Sequence, residues 1–463
     1  MTTMNPAIFR EYDIRGVAER DFDAAFARRL GGAYARFAAT AGPPPVRGAR
    51  RTIGVGRDCR ITSDAYAAAL RAGLQAAGID VVDLGVCPTP LAYFSLFDCD
   101  LDGAIQVTGS HNPADQNGFK ICVGKQALHG DQIQTLRRHL EDGREDGRAA
   151  VGSGRVESVD IIARYQRYLG QHFARITRPL RLVIDAGNAT AGPVAPAILR
   201  ALGCDVDELY CTLDGRFPHH HPDPTVEENL HDLRARVRAT GAELGLAFDG
   251  DADRLGVIDR AGRVVWGDEL LVLFARDILQ RSPGATVIAE VKCSQRLFDD
   301  VAARGGRPIM WKVGHSPIKA KLRETGAALG GEMSGHLFFA DRYFGYDDAI
   351  YAACRLIEIL SRSGRRVDEL LADLPPSYAT PEIRVECPDA KKFAVVERVR
   401  ERFRRTHDII DVDGVRIKFP LGWGLIRASN TQPALVLRLE AQTAAALEEY
   451  RAILDQTLKE LSD

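Results

Sequence analysis

Short apolar runs alternate with longer amphipathic stretches along most of the chain. RTIGVG (51–56) reads as a strand, and SDAYAAALRAGLQAAG (63–78) as a helix with a serine cap and a terminal glycine. VVDLGV, a proline-started LAYFSLF and GAIQV continue the alternation. Strands and helices taking turns are the signature of α/β units with a largely parallel sheet. The pattern breaks at EDGREDGRAAVGSGR (141–155), which is charged, glycine-rich and aperiodic. It restarts at RLVIDAGNATAG (181–192) and reaches ELGLAFDGDADRLGVI. A third stretch begins near Arg260 with TVIAEV, SQRLFDDVAARGG, RPIMWKVG and GGEMSGHLFF, followed by a long helix pattern, YDDAIYAACRLIEILSR. LADLPPSYATP (371–381) is a proline-rich boundary. Beyond it, IRVEC, KKFAVVERVRERFRR, DGVRIKF, LGWGLIRAS and ALVLRLE mix strands and helices in a different order. The expected architecture is three similar mixed α/β domains (1–153, 154–257, 258–371) and a smaller C-terminal α+β domain (372–463).

Composition narrows the function classes. A hydrophobic content of 45% and a charged content of 27% describe an ordinary globular protein. A formal net charge of −2 offers no bulk field for nucleic acid or an anionic membrane, so an anionic ligand must be met by local arginines and lysines. The nine cysteines form no C-x-x-C pair and are irregularly spaced, which argues for reduced thiols in the cytoplasm rather than a disulfide framework or a zinc site. MTTMNPAIFREYD has no apolar core of a secretion signal, and no run of ~18 apolar residues suggests a membrane span.

Three constellations carry chemistry. TGSHNP, opening TGSHNPADQNGFK (108–120), displays Ser110 beside His111 on a loop after an apolar strand, with Lys120 a few residues on. Turn residues at a strand end are one explanation; a reactive hydroxyl is the other. FDGDADR (248–254) holds Asp249, Asp251 and Asp253 at i, i+2 and i+4. On an extended strand these carboxylates lie roughly 7 Å apart, too far to share one hard cation, so a shared ion requires the segment to curl. An EF-hand loop is excluded because Arg254 and Arg260 stand where it needs Gly and Glu. Three carboxylates leave positions open for a phosphate oxygen, which favours Mg²⁺ over Ca²⁺. RASNTQP (427–433) offers Arg427, Ser429, Asn430 and Thr431 as a phosphate cradle.

GGEMSGH (330–336) places Glu332, Ser334 and His336 at alternate positions, which on a strand-like or gently turned backbone face one way and suit sugar hydroxyls. FREYDIRG contributes Tyr12 and Arg15, EVK contributes Lys292, and KVGHSPIK places His315 at a helix start where an anion could sit. The three histidines of FPHHHPDPT (217–225) are expected to be loop residues, because adjacent side chains cannot all point at one ion.

With TGSHNP, FDGDADR, GEMSGH and RASNTQP in this order, the chain resembles the α-D-phosphohexomutase superfamily over nearly its whole length, and within it the bacterial phosphomannomutase/phosphoglucomutase group. The resemblance implies a phosphoserine at Ser110 that holds Mg²⁺ with Asp249, Asp251 and Asp253. It implies a sugar-recognition loop at GEMSGH and a loop for the non-transferred phosphate at RASNTQP. It implies four domains around a central cleft, and Arg15, Lys120, Arg254, Lys292 and His315 match family positions lining that cleft. The implied activity interconverts hexose 1- and 6-phosphates through a 1,6-bisphosphate, with glucose 1,6-bisphosphate as activator, in a cytoplasmic monomer supplying exopolysaccharide synthesis. Lys120 and His336 lead as general base, with His111 and His315 behind. A phosphoglucosamine mutase, whose sugar loop usually reads GEQSGH where this chain has Met333, and a metal-dependent phosphatase are the alternatives. Two positions depart from the family pattern: Ala252 and Ala189 stand where Gly is commoner. Because Ala resists φ > 0, Ala252 is expected in an ordinary backbone conformation.

Overall fold

The computed structural model describes residues 5–46, 48, 50–142, 153–429 and 432–461, so most of the 141–155 break and the residues Asn430 and Thr431 lie outside the described residues. The chain separates into two compact units, residues 1–270 with 334–368, and residues 271–333 with 369–463.

In the first unit, one sheet runs in the order Ile14–Val17, Gln116–Val123, Gly103–Val107, Thr52–Arg57, Asp80–Val86 and Val156–Ser158. Four of these strands are parallel, as the alternating pattern predicts, but Gly103–Val107 pairs with Gln116–Val123 antiparallel. The TGSHNP loop is therefore a hairpin connection. The return strand sets Lys120 opposite Gln106, which explains how a lysine ten residues on comes back to Ser110. A second sheet repeats the arrangement. Asp205–Leu209, Arg181–Asp185 and Leu244–Phe248 are parallel, and Leu244–Phe248 then turns back antiparallel into Leu255–Asp259. Phe248 pairs with Leu255, so FDGDADR is also a hairpin. Both sheets are therefore mixed: besides these two hairpins, Ile14–Val17 lies antiparallel on Gln116–Val123 and Val264–Val265 on Leu255–Asp259, and at each hairpin a tight antiparallel return replaces a crossover helix.

The helix Ala24–Ala41 buries Phe26, Leu30, Tyr34 and Phe37, which join Tyr66, Leu70 and Leu74 of Ser63–Ala76 in the first core. Ser63 does not cap that helix. It is the first helical residue, and its hydroxyl is drawn instead to the buried Asp58.

In the second unit, Arg307–Trp311, Thr286–Glu290 and Leu329–Gly331 pair in parallel. A wholly antiparallel sheet follows in the order Tyr378–Ala379, Ala434–Ala441, Gly422–Ala428, Val415–Phe419 and Ile409–Ile410, with Ile383–Glu386 also on Ala434–Ala441. The helices Asp389–Phe403 and Ala444–Leu461 cover it and bury Val395, Val399, Leu454 and Leu458. No helix among the described residues is long and apolar enough to cross a membrane.

Candidate active site

Ser110 sits in its hairpin loop at φ +49, a conformation costing a non-glycine residue about 1–2 kcal/mol. It is 1% exposed. Its amide donates to Thr108 Oγ1 (2.8 Å), and its hydroxyl donates to Asp249 Oδ2 (2.9 Å) and lies 3.2 Å from His111 Nδ1. The second hairpin closes on the first at Gly250: a Cβ there would come within 2.2 Å of the Ser110 carbonyl oxygen, so any side chain would force the two loops apart.

The aspartates are curled as a shared ion requires. Asp249, Asp251 and Asp253 are all fully buried, and each offers an oxygen within 4.8 Å of the others. Asp249 Oδ1 accepts from the amides of Asp253 (3.0 Å) and Arg254 (3.1 Å), which bends the loop around its first carboxylate. The Lys120 ammonium donates to Asp251 Oδ2 (2.7 Å) and to Asp253. Asp251 Oδ1 and Asp253 Oδ1 are buried with no hydrogen-bond donor. Two orphaned carboxylate oxygens beside a third carboxylate and a serine hydroxyl form the donor set that a hard divalent cation completes, so these residues fit a metal ion. Burial and the neighbouring Asp253 and Asp251 push the Asp249 carboxyl well above its usual range. Burial also opposes ionisation of Asp253, but the Lys120 ammonium leads the neighbouring charges that outweigh it and hold that carboxyl below its usual value.

The backbone of this loop overturns one expectation. Ala252 has φ +58 rather than an ordinary conformation. Its amide donates to the Asp249 carbonyl (3.0 Å), its own carbonyl accepts from the Ala349 amide (3.3 Å), and its methyl is fully buried. Packing and these two bonds outweigh the local steric cost.

The cations follow. Arg15 donates through Nε to Asp13 (2.6 Å) and through Nη1 to Asn112 Oδ1 (3.1 Å), which brings it onto the serine loop; Tyr12 is half-buried in the preceding bend. Burial, followed by the Arg254, Arg15 and Lys120 cations, pulls the His111 imidazole well below its usual pKa. Arg254 Nε donates to His336 Nε2 (2.9 Å), while His336 Nδ1 lies 3.0 Å from Asp347 Oδ2 and 3.5 Å from Asp253 Oδ1. Nε2 is thus an acceptor, and Nδ1 carries the proton facing Asp347. Sequence reading missed Asp347, which follows His336 by eleven residues with no motif to tie them.

GEMSGH takes the turned form, because Met333, Ser334 and Gly335 break the extended backbone. The motif also straddles the two units: Glu332 belongs to the second, Ser334 and His336 to the first. In the second unit, Glu332 accepts from the Gly314 amide just before the helix His315–Thr325, so that His315 stands at the first helical position. Lys292 Nζ pairs with Glu382 Oε2 (3.0 Å), with Glu290 Oε1 3.9 Å away. Arg427 Nη2 meets Asp413 Oδ2 (3.1 Å). The Ser429 hydroxyl accepts from the Gln432 amide (3.1 Å). Lys392, also missed in the sequence, donates to the carbonyls of Ser429 (2.6 Å) and Gln432 (3.1 Å), tying the two ends of the RASNTQP turn. The histidine run of FPHHHPDPT is in a loop, as expected, and belongs to no metal-holding group among the described residues.

Four segments match models of one family: phosphoglucomutase/phosphomannomutase α/β/α domain I at residues 6–146, domain II at 163–262, domain III at 266–378, and the C-terminal domain at 382–457. A phosphomannomutase/phosphoglucomutase of Pseudomonas aeruginosa is 45% identical over 458 residues, covering 99% of this chain and 96% of the relative. A phosphoglucomutase of Neisseria gonorrhoeae is 42% identical over 463 residues, covering 98% of each. The crystal structure of a phosphoglucomutase/phosphomannomutase family protein from Burkholderia thailandensis superimposes with a TM-score of 0.90 at 43% identity, covering 99% of this chain and 98% of the other. With four family segments in order, two buried hairpins that bring a serine to three aspartates, and relatives aligned end to end, this chain belongs to the phosphoglucomutase/phosphomannomutase family.

Proposed function

We propose that the chain interconverts hexose 1-phosphate and hexose 6-phosphate, with glucose or mannose as the sugar, through a phosphoserine at Ser110 and a hexose 1,6-bisphosphate. The observation that carries this reading is the Ser110 hydroxyl 2.9 Å from Asp249, inside a buried cluster of three carboxylates and the Lys120 ammonium. In one direction, a free sugar hydroxyl attacks the phosphorus on Ser110. The new P–O bond forms as the bond to Ser110 Oγ breaks, and the hydroxyl proton passes to a base. The bisphosphate then turns end for end and returns its other phosphoryl group to Ser110 Oγ. Catalysis of this kind is mostly positioning and charge stabilisation.

Ser110, Asp249, Asp251 and Asp253 would hold Mg²⁺, which supplies charge neutralisation to the transferring group when bound. Arg15, Lys120 and Arg254 flank that group. His336 is the better-supported base: Asp347 Oδ2 lies 3.0 Å from its Nδ1, and the lone pair on Nε2 is released once Arg254 turns to the phosphoryl group. Lys120, held as an ammonium by two carboxylates, suits charge stabilisation instead. His111, kept neutral, stays beside Ser110 Oγ. The family motifs assign Tyr12, Lys292, His315, Glu332, Ser334, His336, Arg427, Ser429, Asn430 and Thr431 to the sugar phosphate, an assignment that rests on the sequence pattern. The four-domain division at 1–153, 154–257, 258–371 and 372–463 is supported by the family segments at 6–146, 163–262, 266–378 and 382–457. A cytoplasmic monomer completes the reading.

The test is a mutase assay with Mg²⁺ and a trace of glucose 1,6-bisphosphate, offering glucose 1-phosphate, mannose 1-phosphate and glucosamine 1-phosphate separately. Formation of glucose or mannose 6-phosphate, abolished or severely reduced in Ser110→Ala, is expected. Release of inorganic phosphate, or conversion of the glucosamine ester alone, would overturn it.

A further inference from the structure

The histidine run of FPHHHPDPT has no part in the mechanism above, yet the fold brings it against the serine loop. His221 Nε2 is in hydrogen-bond contact with the carbonyl oxygen of His111. A carbonyl only accepts, so Nε2 carries the proton and the tautomer is set.

The neighbouring carbonyls explain why a second donor is needed there. Arg60 Nη1 donates to the carbonyls of Pro113 (2.5 Å) and Gln116 (2.9 Å), and Nη2 to those of Ser110 (2.8 Å) and Asn112 (2.6 Å). Its Nε donates to Asp58 Oδ2 (3.1 Å). A guanidinium has five N–H donors, and all five are now in use. Of the consecutive carbonyls from Ser110 to Pro113, the one Arg60 does not take is that of His111, and His221 takes it.

The segment carrying His221 is itself held. Phe217 lies under the Arg60 guanidinium, 5.1 Å from ring centroid to Cζ. A Cβ on Gly215 would come within 2.2 Å of the Cys59 carbonyl oxygen and 2.8 Å of Arg60 Cα, so this segment packs backbone to backbone on the Arg60 turn. His220 Nε2 faces both oxygens of Asp185 at 3.0 Å, and its Nδ1 faces the His221 carbonyl at 2.9 Å. Both partners are acceptors, so both ring nitrogens donate, and the ring pins the His221 backbone to the second sheet. His219 Nδ1 meets Asn188 Oδ1 (2.7 Å), and its ring stacks on Tyr210 with centroids 3.9 Å apart.

We propose that His221 is a positioning residue for phosphoryl transfer at Ser110, completing with Arg60 a clasp on the carbonyl oxygens of the serine loop. The inference rests on the reading of Ser110 as the phosphoserine. A phosphoryl dianion is repelled by carbonyl oxygens and stabilised by donors. The His111 carbonyl belongs to the peptide joining His111 to Asn112, directly after Ser110, and without its donor that peptide is free to rotate the carbonyl toward the phosphoryl group. The imidazole prevents that rotation without touching substrate.

The experiment compares wild type, His221→Ala and His221→Gln in the glucose 1-phosphate assay. The glutamine amide can donate to the same carbonyl; alanine cannot. In His221→Ala, kcat should fall about 10- to 100-fold with KM for the sugar phosphate little changed, and His221→Gln should recover most of the loss. Equal activity in all three proteins, equal losses in both variants, or failure of both to fold would each overturn the positioning role while leaving the mutase reading intact. An inactive wild type would overturn the mutase reading and this inference with it.

Discussion

Each compact unit buries one arginine that serves the backbone beside a proposed functional side chain, and the two are solved differently. In the first unit Arg60 gathers four carbonyls around Ser110, faces Phe217 and pairs with Asp58. In the second, Arg416 Nη1 donates to the carbonyls of Val291 (2.6 Å) and Cys293 (2.9 Å), on either side of Lys292, and Nη2 to Gln295 Oε1 (3.2 Å). Its guanidinium lies 3.6 Å from the Trp423 ring centroid. Arg416 bonds no carboxylate, and burial pushes its pKa down to about 10. Carbonyl dipoles and a ring can therefore hold a buried guanidinium, but with less compensation than a carboxylate supplies. The stronger clasp is where backbone strain is found: Ser110 is at φ +49, whereas Val291, Lys292 and Cys293 are not among the described residues with positive φ.

The comparison breaks most visibly at Arg60. Arg60→Met leaves Asp58 buried without its cation and takes a donor from four carbonyls, of which that of Pro113 keeps the Gln116 amide (3.0 Å), and should cost about 3–5 kcal/mol in unfolding free energy along with most of the mutase activity. Arg60→Lys keeps the charge but has only three donors, and should fall between Met and wild type. A thermal unfolding series reads both. If Arg60→Met costs no more than Arg416→Met, the ranking of the two clasps is wrong.

Acid separates the two units with opposite signs. In the second, Lys292 holds the Glu382 carboxyl at about 2, against an ordinary 4.5. A depressed carboxyl stabilises the fold above about pH 4.5 and loses that contribution as pH falls through about 2. In the first, burial pushes Asp348 up to about 6, although Tyr165, Tyr343 and the Tyr351 amide all donate to it. A raised carboxyl favours the fold fully below about pH 4 and loses that contribution as pH rises through about 6. Each window is worth about 2–3 kcal/mol. The cost of Lys292→Met in urea midpoints should therefore shrink below pH 4.5, and Asp348→Asn should flatten the fall in stability between pH 4 and 6.

Arg416→Met is expected to cost about 1–3 kcal/mol, since it unpairs two buried carbonyls but strands no directly bonded charge. Steady-state kinetics should show its effect in KM more than kcat, because the backbone it frees carries Lys292 rather than Ser110. A large kcat loss at unchanged KM would erase the distinction between the clasps. The smallest change is Ala252→Gly, which relieves φ +58 and should raise stability by about 1 kcal/mol with activity unchanged.

What the sequence by itself determined was local. Apolar runs ended where the strands end, and the aspartates at i, i+2 and i+4 around Gly250 foretold a curled, ion-competent loop, because turn chemistry is set by near neighbours. Family motifs carried Ser110 and its partners for the same reason: each is a short contiguous stretch. Only the tertiary structure decided where donors without a motif would be directed. Arg60 and His221 reach carbonyls 50 and 110 residues away, and Asp347 faces His336 from another segment. Ser63 abandons its helix cap for Asp58, and Ala252 is held at positive φ partly by the amide of Ala349. Periodicity and propensity describe the energy of a residue among its chain neighbours. A buried hydrogen-bond group must be satisfied by whatever the fold places beside it, and that requirement outweighs local preference.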